Sequence, residues 1–141
     1  MTGFVLDASV TMRWILETDR KRDQEYAWRV LDQLGDIEAI VPSLWYLEVS
    51  NVLLGAERER RIHPIETERF IQQLEALRIT SDARTSEQAF SRTMAIARSF
   101  HLTSYDASYL ELSARTGLPI SSLDGQLRKA AGLLDLPVFL A

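Results

Sequence analysis

The chain has 141 residues, of which 46% are hydrophobic and 26% charged, with two histidines and no cysteine. This length suits one domain over residues 1–141, and the absence of cysteine excludes disulfides, thiolate nucleophiles and cysteine-ligated zinc. Sixteen Lys and Arg against twenty Asp and Glu give a net charge of −4, which by itself lends no support to polyanion binding.

Short apolar strands alternate with amphipathic helices along the chain. The first half is predicted as a strand over 4–7, a helix to about 16, a helix from about 22 to 34, a strand over 39–41 and a helix from 44 to about 61. The next part is predicted as a helix carrying Phe70, Ile71, Leu74 and Leu77, a strand over 78–80 and a helix displaying Phe90, Met94 and Ala97. The last part is predicted as a helix from 104 that ends at Gly117, a strand over 120–123, a helix over 125–131 and a strand over 137–140. This alternation predicts an α/β sandwich with a mainly parallel sheet. No apolar run reaches ~20 residues and the N-terminus lacks a signal layout, so we expect a cytoplasmic protein without a membrane segment.

Four acidic residues are the candidate site. Asp7 and Asp124 directly follow predicted strands, and the carboxyl ends of parallel strands meet at one edge of a sheet. Asp106 lies in the first turn of its helix. Glu48 is the only charged residue between 44 and 54, on an otherwise apolar helix. We therefore expect these carboxylates to converge at one edge of the sheet.

Converging carboxylates repel one another unless a cation lies between them. Without cysteine, and with only His63 and His101, the chain offers carboxylate oxygens as metal ligands, which suit Mg²⁺ or Mn²⁺. Such an ion can activate water and offset the charge of a phosphodiester in the transition state. The pattern therefore indicates a metal-dependent nuclease.

Each acid also has a purely structural explanation. Asp7 and Asp124 can be helix N-caps, and Asp106 can complete a capping box with Thr103. Glu48 can form a salt bridge with an arginine. Single residues do not decide between these explanations and a shared site.

Four segments, FVLDASV, LWYLEVSNVL, TSYDASYLELSARTG and ISSLDGQLRKAAG, together resemble the PIN-domain family, and within it the VapC-type toxins of toxin–antitoxin pairs. The resemblance runs from residue 4 to about 133. It implies a three-layer α/β/α sandwich in a single PIN domain, with a central parallel sheet in the order 3-2-1-4-5. It also implies RNA hydrolysis with Mg²⁺ or Mn²⁺, assembly as a homodimer and inhibition by a cognate antitoxin protein.

The resemblance also assigns roles to residues. Asp7 and Asp106 match the principal metal ligands, and Glu48 and Asp124 match the acids that complete the site. The small polar residues that match positions supporting this centre are Ser9, Asn51 and Ser122. Where some relatives carry a further acid after the fourth, this chain has Gly125 and Gln126, which leaves the number of metal ions, one or two, open.

Two other functions fit parts of the sequence. One is a ribonuclease that uses His63 and His101 as acid and base without a metal. The other is a catalytically silent PIN-type module that binds or regulates a partner. Two basic clusters are candidates for RNA contact, or else solvated helix ends: Arg58, Arg60 and Arg61, and Arg128 with Lys129. The aromatic residues that can stack on bases, receive an antitoxin helix or pack in a core or dimer are Trp14, Trp28, Trp45, Tyr46, Tyr105 and Tyr109.

Overall fold

The computed structural model describes residues 3–141 as an α/β domain with a parallel sheet flanked by helices. The strands are β1 (Gly3–Leu6), β2 (Glu38–Val41), β3 (Ile79–Ser81) and β4 (Ile120–Ser121). The helices are α1 (Ala8–Thr11), α2 (Lys21–Gln33), α3 (Trp45–Arg58), α4 (Pro64–Glu75), α5 (Thr85–Gln88), α6 (Met94–Phe100), α7 (Ser104–Thr116) and α8 (Gly125–Leu133). A 3₁₀ turn (Met12–Trp14) follows α1, and a π-helical turn (Ala89–Thr93) joins α5 to α6.

The sheet has the order β3-β2-β1-β4, and every pairing in it is parallel. This confirms the predicted 3-2-1-4 arrangement. The expected fifth strand over 137–140 is reduced to one parallel bridge between Ile120 and Val138. Pro137 has no N–H to donate, and Leu140 adopts a positive φ of 59°, so the segment cannot continue the ladder. β1 and β4 lie side by side where the strand order reverses, which is where ligands bind in such sheets.

The core is centred on β1, because this strand is covered on both faces. Phe4, Val5 and Leu6 have no exposed surface, and the ring of Phe4 stacks on that of Phe139 with centroids 4.2 Å apart. Full burial of an aliphatic or aromatic side chain of this size contributes roughly 1.5–3 kcal/mol. β1 is therefore a rigid support for the residues that follow it.

Two predicted helices differ from those observed. The helix expected to reach about residue 16 ends at Thr11 and gives way to the 3₁₀ turn. The segment with Phe90, Met94 and Ala97 is interrupted by the π-helical turn, and these three residues line a shallow surface groove. Phe90 is 93% exposed, so this apolar face does not belong to the core.

A buried ion-pair network ties α7 to the end of β3. Arg115 on α7 donates to both Asp82 carboxylate oxygens, at 3.1 and 2.6 Å, and to both oxygens of Glu111, at 2.7 and 3.0 Å. Asp82 is 7% and Glu111 2% exposed. Although burial would raise the pKa of Asp82, hydrogen bonds from Arg115 and Thr85 outweigh it and lower that pKa. The network fixes the position of α7, the helix that carries Asp106.

Within residues 3–141, none of the helices is both long and apolar enough to cross a lipid bilayer.

Candidate active site

Asp7 lies directly after β1 and is the most buried of the four acids. Its Oδ2 accepts hydrogen bonds from Ser9 Oγ at 2.6 Å and Ser122 Oγ at 2.8 Å. Burial, together with the charges of Glu48 and Asp106, raises the pKa of Asp7 to about 6 despite these two hydrogen bonds. The carboxylate does not cap α1, so the capping explanation for Asp7 is wrong.

The two serines also connect Asp7 to the segment that carries Asp124. Ser9 Oγ accepts a hydrogen bond from the Leu123 N–H at 3.0 Å, and Ser122 Oγ accepts one from the Asp124 N–H at 3.0 Å. Each hydroxyl therefore donates to Asp7 and accepts from the backbone that follows β4. This arrangement keeps the ends of β1 and β4 in register.

Glu48 is half-buried on α3 and is held by a tyrosine. The Tyr109 hydroxyl donates a short hydrogen bond to Glu48 Oε1. Burial and the charge of Asp106 raise the pKa of Glu48. In the part of the chain that the structure describes, no ion pair includes Glu48, so the salt-bridge explanation is wrong.

Tyr109 is fully buried and belongs to the site, although the sequence motifs did not predict this role. Burial and the charges of Asp7 and Glu48 raise its pKa, so its hydroxyl stays protonated as a donor. The sequence spacing does place Tyr109 near Asp106, because Tyr109 follows Asp106 by three residues and therefore lies on the same helix face. The partner Glu48 lies on a different helix, which this spacing does not reveal.

Asp106 lies in the first turn of α7, and Asp124 is the N-cap of α8. Thr103 Oγ1 accepts from the Asp106 N–H at 3.1 Å and caps α7, whereas burial and the charge of Asp124 raise the pKa of the Asp106 carboxyl. Asp124 caps α8 through Oδ1, which accepts from the N–H groups of Gln126 at 2.8 Å and Leu127 at 3.3 Å. The capping role predicted for Asp124 is thus confirmed, and it occupies one carboxylate oxygen.

The four acids form one electrostatic neighbourhood without forming a closed ligand cage. Glu48 and Asp106 act on Asp7, and Asp124 acts on Asp106, in each case raising the pKa of the carboxyl affected. Between Gly3 and Ala141, however, no three His, Asp or Glu side chains lie close enough together to hold a metal ion as they stand. Mutual repulsion between carboxylates is a physical reason for such spacing.

Several other predicted residues make no hydrogen bond to the four acids among the described residues. Asn51 is exposed, and it makes no hydrogen bond to the acids among the described residues. His63 caps α4, with Nδ1 accepting from the Ile65 N–H at 3.2 Å, and His101 ends α6 in a left-handed conformation. Neither histidine is hydrogen-bonded to the other in residues 3–141. The basic residues at the end of α3, all of them exposed, are Arg58, Arg60 and Arg61.

The aromatic residues divide between core and surface. Trp45 and Tyr109 are buried, and the half-buried Trp14 donates from Nε1 to the Ala27 carbonyl at 2.8 Å. The exposed members of the set are Trp28, Tyr46 and Tyr105. Surface contacts with a partner or with bases are thus open to these three residues.

The fold and the sequence together identify the family. The PIN domain family model matches residues 4–133, and the chain belongs to the PIN domain family, whose members are commonly nucleases. No curated protein sequence matches the chain.

Two solved structures have a similar fold. PAE2754 from Pyrobaculum aerophilum has a TM-score of 0.63 and 20% sequence identity, over 92% of this chain and 84% of that chain. A toxin–antitoxin complex from Klebsiella pneumoniae has a TM-score of 0.59 and 15% identity, over 86% of each chain. At these identities the similarity establishes the fold.

Proposed function

We propose that this protein is a Mg²⁺- or Mn²⁺-dependent endoribonuclease and the VapC-type toxin of a toxin–antitoxin pair, in which residues 1–141 form a single PIN domain. The observation that carries the proposal is the buried Asp7, whose pKa is raised to about 6 beside two further carboxylates. A buried acid among other acids is unfavourable for the metal-free protein. A bound divalent cation would stabilise this arrangement of carboxylates.

The residues fit a hard divalent cation in their chemistry. All four side chains offer carboxylate oxygens, and Asp7 Oδ1 and Asp124 Oδ2 accept no hydrogen bond from any described residue. The spacing between the acids is wider than a direct three-carboxylate site requires. Magnesium commonly keeps several water ligands and takes only one or two carboxylates directly, so this spacing is compatible with it.

The chain's own residues would hold and orient the site. Asp7 and Asp106 would be the principal ligands, and Glu48 and Asp124 would complete the site, in part through water. Ser9, Ser122 and Tyr109 restrain the carboxylates of Asp7 and Glu48, which limits how far these can turn away. When bound, a divalent ion supplies a Lewis acid that lowers the pKa of water and offsets phosphodiester charge.

A protein partner is part of the proposal. The outer face of α3 exposes Tyr46 by 47%, Leu47 by 74% and Leu54 by 50%. An apolar groove of about 360 Å³ lies between α3 and α4. Exposed apolar surface of this kind favours an interface, either with an antitoxin or within a homodimer. The fold shared with a toxin–antitoxin complex supports the antitoxin, and action on cellular RNA implies the cytoplasm.

The alternatives have less support. In a metal-free ribonuclease, two histidines must reach the same phosphodiester, whereas His63 Nδ1 is committed to capping α4. A silent binding module has no use for carboxylates whose mutual repulsion raises their pKa values. Both alternatives remain distinguishable by experiment.

Incubation with RNA and analysis of the product ends tests the function. We expect cleavage with Mg²⁺ or Mn²⁺ that leaves 5′-phosphate ends, and no cleavage with EDTA. Cyclic phosphate ends, or cleavage that persists in EDTA, would instead indicate the histidine mechanism. Intact RNA together with undetectable Mn²⁺ binding would support the silent module.

Removing one hydroxyl tests the support for Glu48. We expect Tyr109→Phe to weaken Mn²⁺ binding and RNA cleavage by about 10- to 100-fold, the usual effect of losing a group that orients a metal ligand. Calorimetric titration with Mn²⁺ measures the affinity independently of turnover. Tyr105→Phe, on the same helix but 64% exposed, is the matched control and should bind Mn²⁺ as the wild type does. Equal Mn²⁺ affinity in both variants would contradict the assignment.

A further inference from the structure

A groove lined by arginines adjoins the candidate active site. One groove, of about 430 Å³, includes Ser9 and Asp124 in its wall. A second, of about 510 Å³, is lined by Arg22, Arg29 and Arg128. The two grooves share Asp23 and Leu123, so they are neighbouring parts of one surface.

Arg128 is held in place before any ligand binds. Its Nε donates to the Ser122 carbonyl at 2.6 Å, and its guanidinium lies 4.6 Å from the centroid of the Tyr26 ring. Tyr26 is itself buried, and its hydroxyl donates to the Phe139 carbonyl at 2.6 Å. The Arg29 guanidinium lies 5.7 Å from the same centroid. An arginine fixed in this way loses little conformational entropy when its remaining N–H groups bind a ligand.

In this groove the arginines outnumber the acidic side chains. Among the described residues, none of Arg22, Arg29 and Arg128 forms an ion pair. Asp23 is the one acidic side chain in the described lining of the groove. An unpaired set of guanidinium groups beside an acidic site favours a ligand that carries negative charge at regular intervals.

We propose that Arg22, Arg29 and Arg128 bind the phosphate backbone of single-stranded RNA next to the scissile position. This inference rests on the proposed function, because a scissile position exists only if the protein cleaves RNA. The binding itself needs no cleavage. Asp124 is the N-cap of α8, and the Arg128 N–H donates to the Asp124 carbonyl at 3.0 Å, so Arg128 lies one helical turn from Asp124. Arg128 therefore meets a phosphate close to the acids, and Arg22 and Arg29 meet phosphates further along. Guanidinium groups match phosphate oxygens bidentately, and backbone contacts of this kind carry no base specificity.

The test measures binding under conditions that prevent cleavage. The probe is a fluorescein-labelled, 2′-O-methyl single-stranded RNA of mixed sequence in EDTA, which blocks both metal-dependent hydrolysis and attack by a 2′-hydroxyl. The variant is Arg22→Gln/Arg29→Gln, because both residues are exposed and Arg29 makes only a long hydrogen bond, at 3.4 Å, to the Leu140 carbonyl. Arg128 is kept because it donates to the Ser122 carbonyl at 2.6 Å. The matched control is Arg92→Gln/Arg98→Gln, which removes the same charge from the exposed surface around α6.

Fluorescence anisotropy from ~50 to ~200 mM salt gives the affinity and its salt dependence. For the groove variant we expect weaker binding and a slope of log K against log salt that is shallower by ~1.4, about 0.7 for each lost phosphate contact on a single strand. The control variant should keep the wild-type slope.

Each outcome has a defined meaning. The expected slope change supports the inference even if the protein cleaves no RNA, because the measurement does not depend on turnover. An unchanged slope in the groove variant overturns the inference while leaving RNA cleavage intact as a separate result. Equal loss in both variants, no measurable RNA binding by the wild type, or a groove effect seen with polyglutamate and not with RNA also overturns it.

Discussion

Replacing Asp7 with asparagine is expected to lower RNA cleavage by on the order of 10³-fold while making the metal-free protein more stable at neutral pH. The amide keeps an oxygen that can accept the hydrogen bonds from Ser9 and Ser122. It removes the charge that a divalent cation would bind. Cleavage rates and the free energy of unfolding in EDTA are the two measurements.

The gain in stability follows from the direction of the pKa shift. Burial and neighbouring charges raise the pKa of Asp7 from 3.8 to about 6 in the folded state. Because the pKa of Asp7 is higher in the folded than in the unfolded protein, its contribution to stability is fully present below the unfolded-state pKa. This contribution is lost as the pH rises from about 4 through about 6. This shift corresponds to roughly 3 kcal/mol at neutral pH, which the asparagine variant avoids. The difference between the two proteins should therefore vanish below about pH 4.

The control for this variant is Asp32→Asn on α2, where the side chain is exposed. Its free energy of unfolding should stay within about 0.5 kcal/mol of the wild-type value, and its cleavage rate should equal that of the wild type. Saturating Mn²⁺ should stabilise the wild type and not the Asp7→Asn protein. A cleavage rate for Asp7→Asn within a few-fold of the wild type would contradict the role of Asp7.

Arg115→Met is expected to lower the free energy of unfolding by about 3–5 kcal/mol, which is typical when one partner of a buried ion pair is removed. Asp82 and Glu111 would then remain buried without a counterion. Urea denaturation at neutral pH measures the loss. Lys21→Met, which breaks the exposed Lys21–Glu25 pair, is the control and should change stability by less than about 1 kcal/mol.

The effect of Arg115→Met should also depend on pH. Because the pKa of Asp82 is lowered in the folded protein, its contribution is present above about pH 4 and is lost as the pH falls through the lowered value. The difference between wild type and variant should therefore narrow under acidic conditions. Arg115→Lys should recover only part of the stability, since an ammonium cannot bind both carboxylates bidentately. A loss below about 1 kcal/mol at neutral pH would contradict the importance of the network.

Much of the fold was predictable from local patterns. The apolar run before Asp7 and the alternation of short strands with amphipathic helices predicted the parallel sheet, and β1 and β4 lie where expected. The cap formed by Asp124 was predictable for the same reason, since it involves N–H groups two and three residues away. The loss of strand 137–140 was not predictable in this way, because leucine seldom adopts the positive φ that Leu140 has.

Local sequence patterns predicted some features of the candidate site and not others. The sequence predicted that Asp7, Glu48, Asp106 and Asp124 converge. In the structure the charges of Glu48 and Asp106 raise the pKa of Asp7, and the charge of Asp124 raises that of Asp106. The hydrogen bond from Tyr109 to Glu48 joins residues 61 positions apart, and no spacing rule links them. The role of Asn51 remains a prediction.

By itself, the sequence determined the family, the alternation of strands and helices, and the four candidate acids, because these depend on residue type and short-range order. Only the tertiary structure decided which hydroxyls hold Asp7 and Glu48, that Arg115 neutralises Asp82 and Glu111, and that arginines far apart in the chain line one groove. The physical reason is that hydrogen bonds and ion pairs act over a few ångströms. Packing alone brings residues from separate helices and strands within that range.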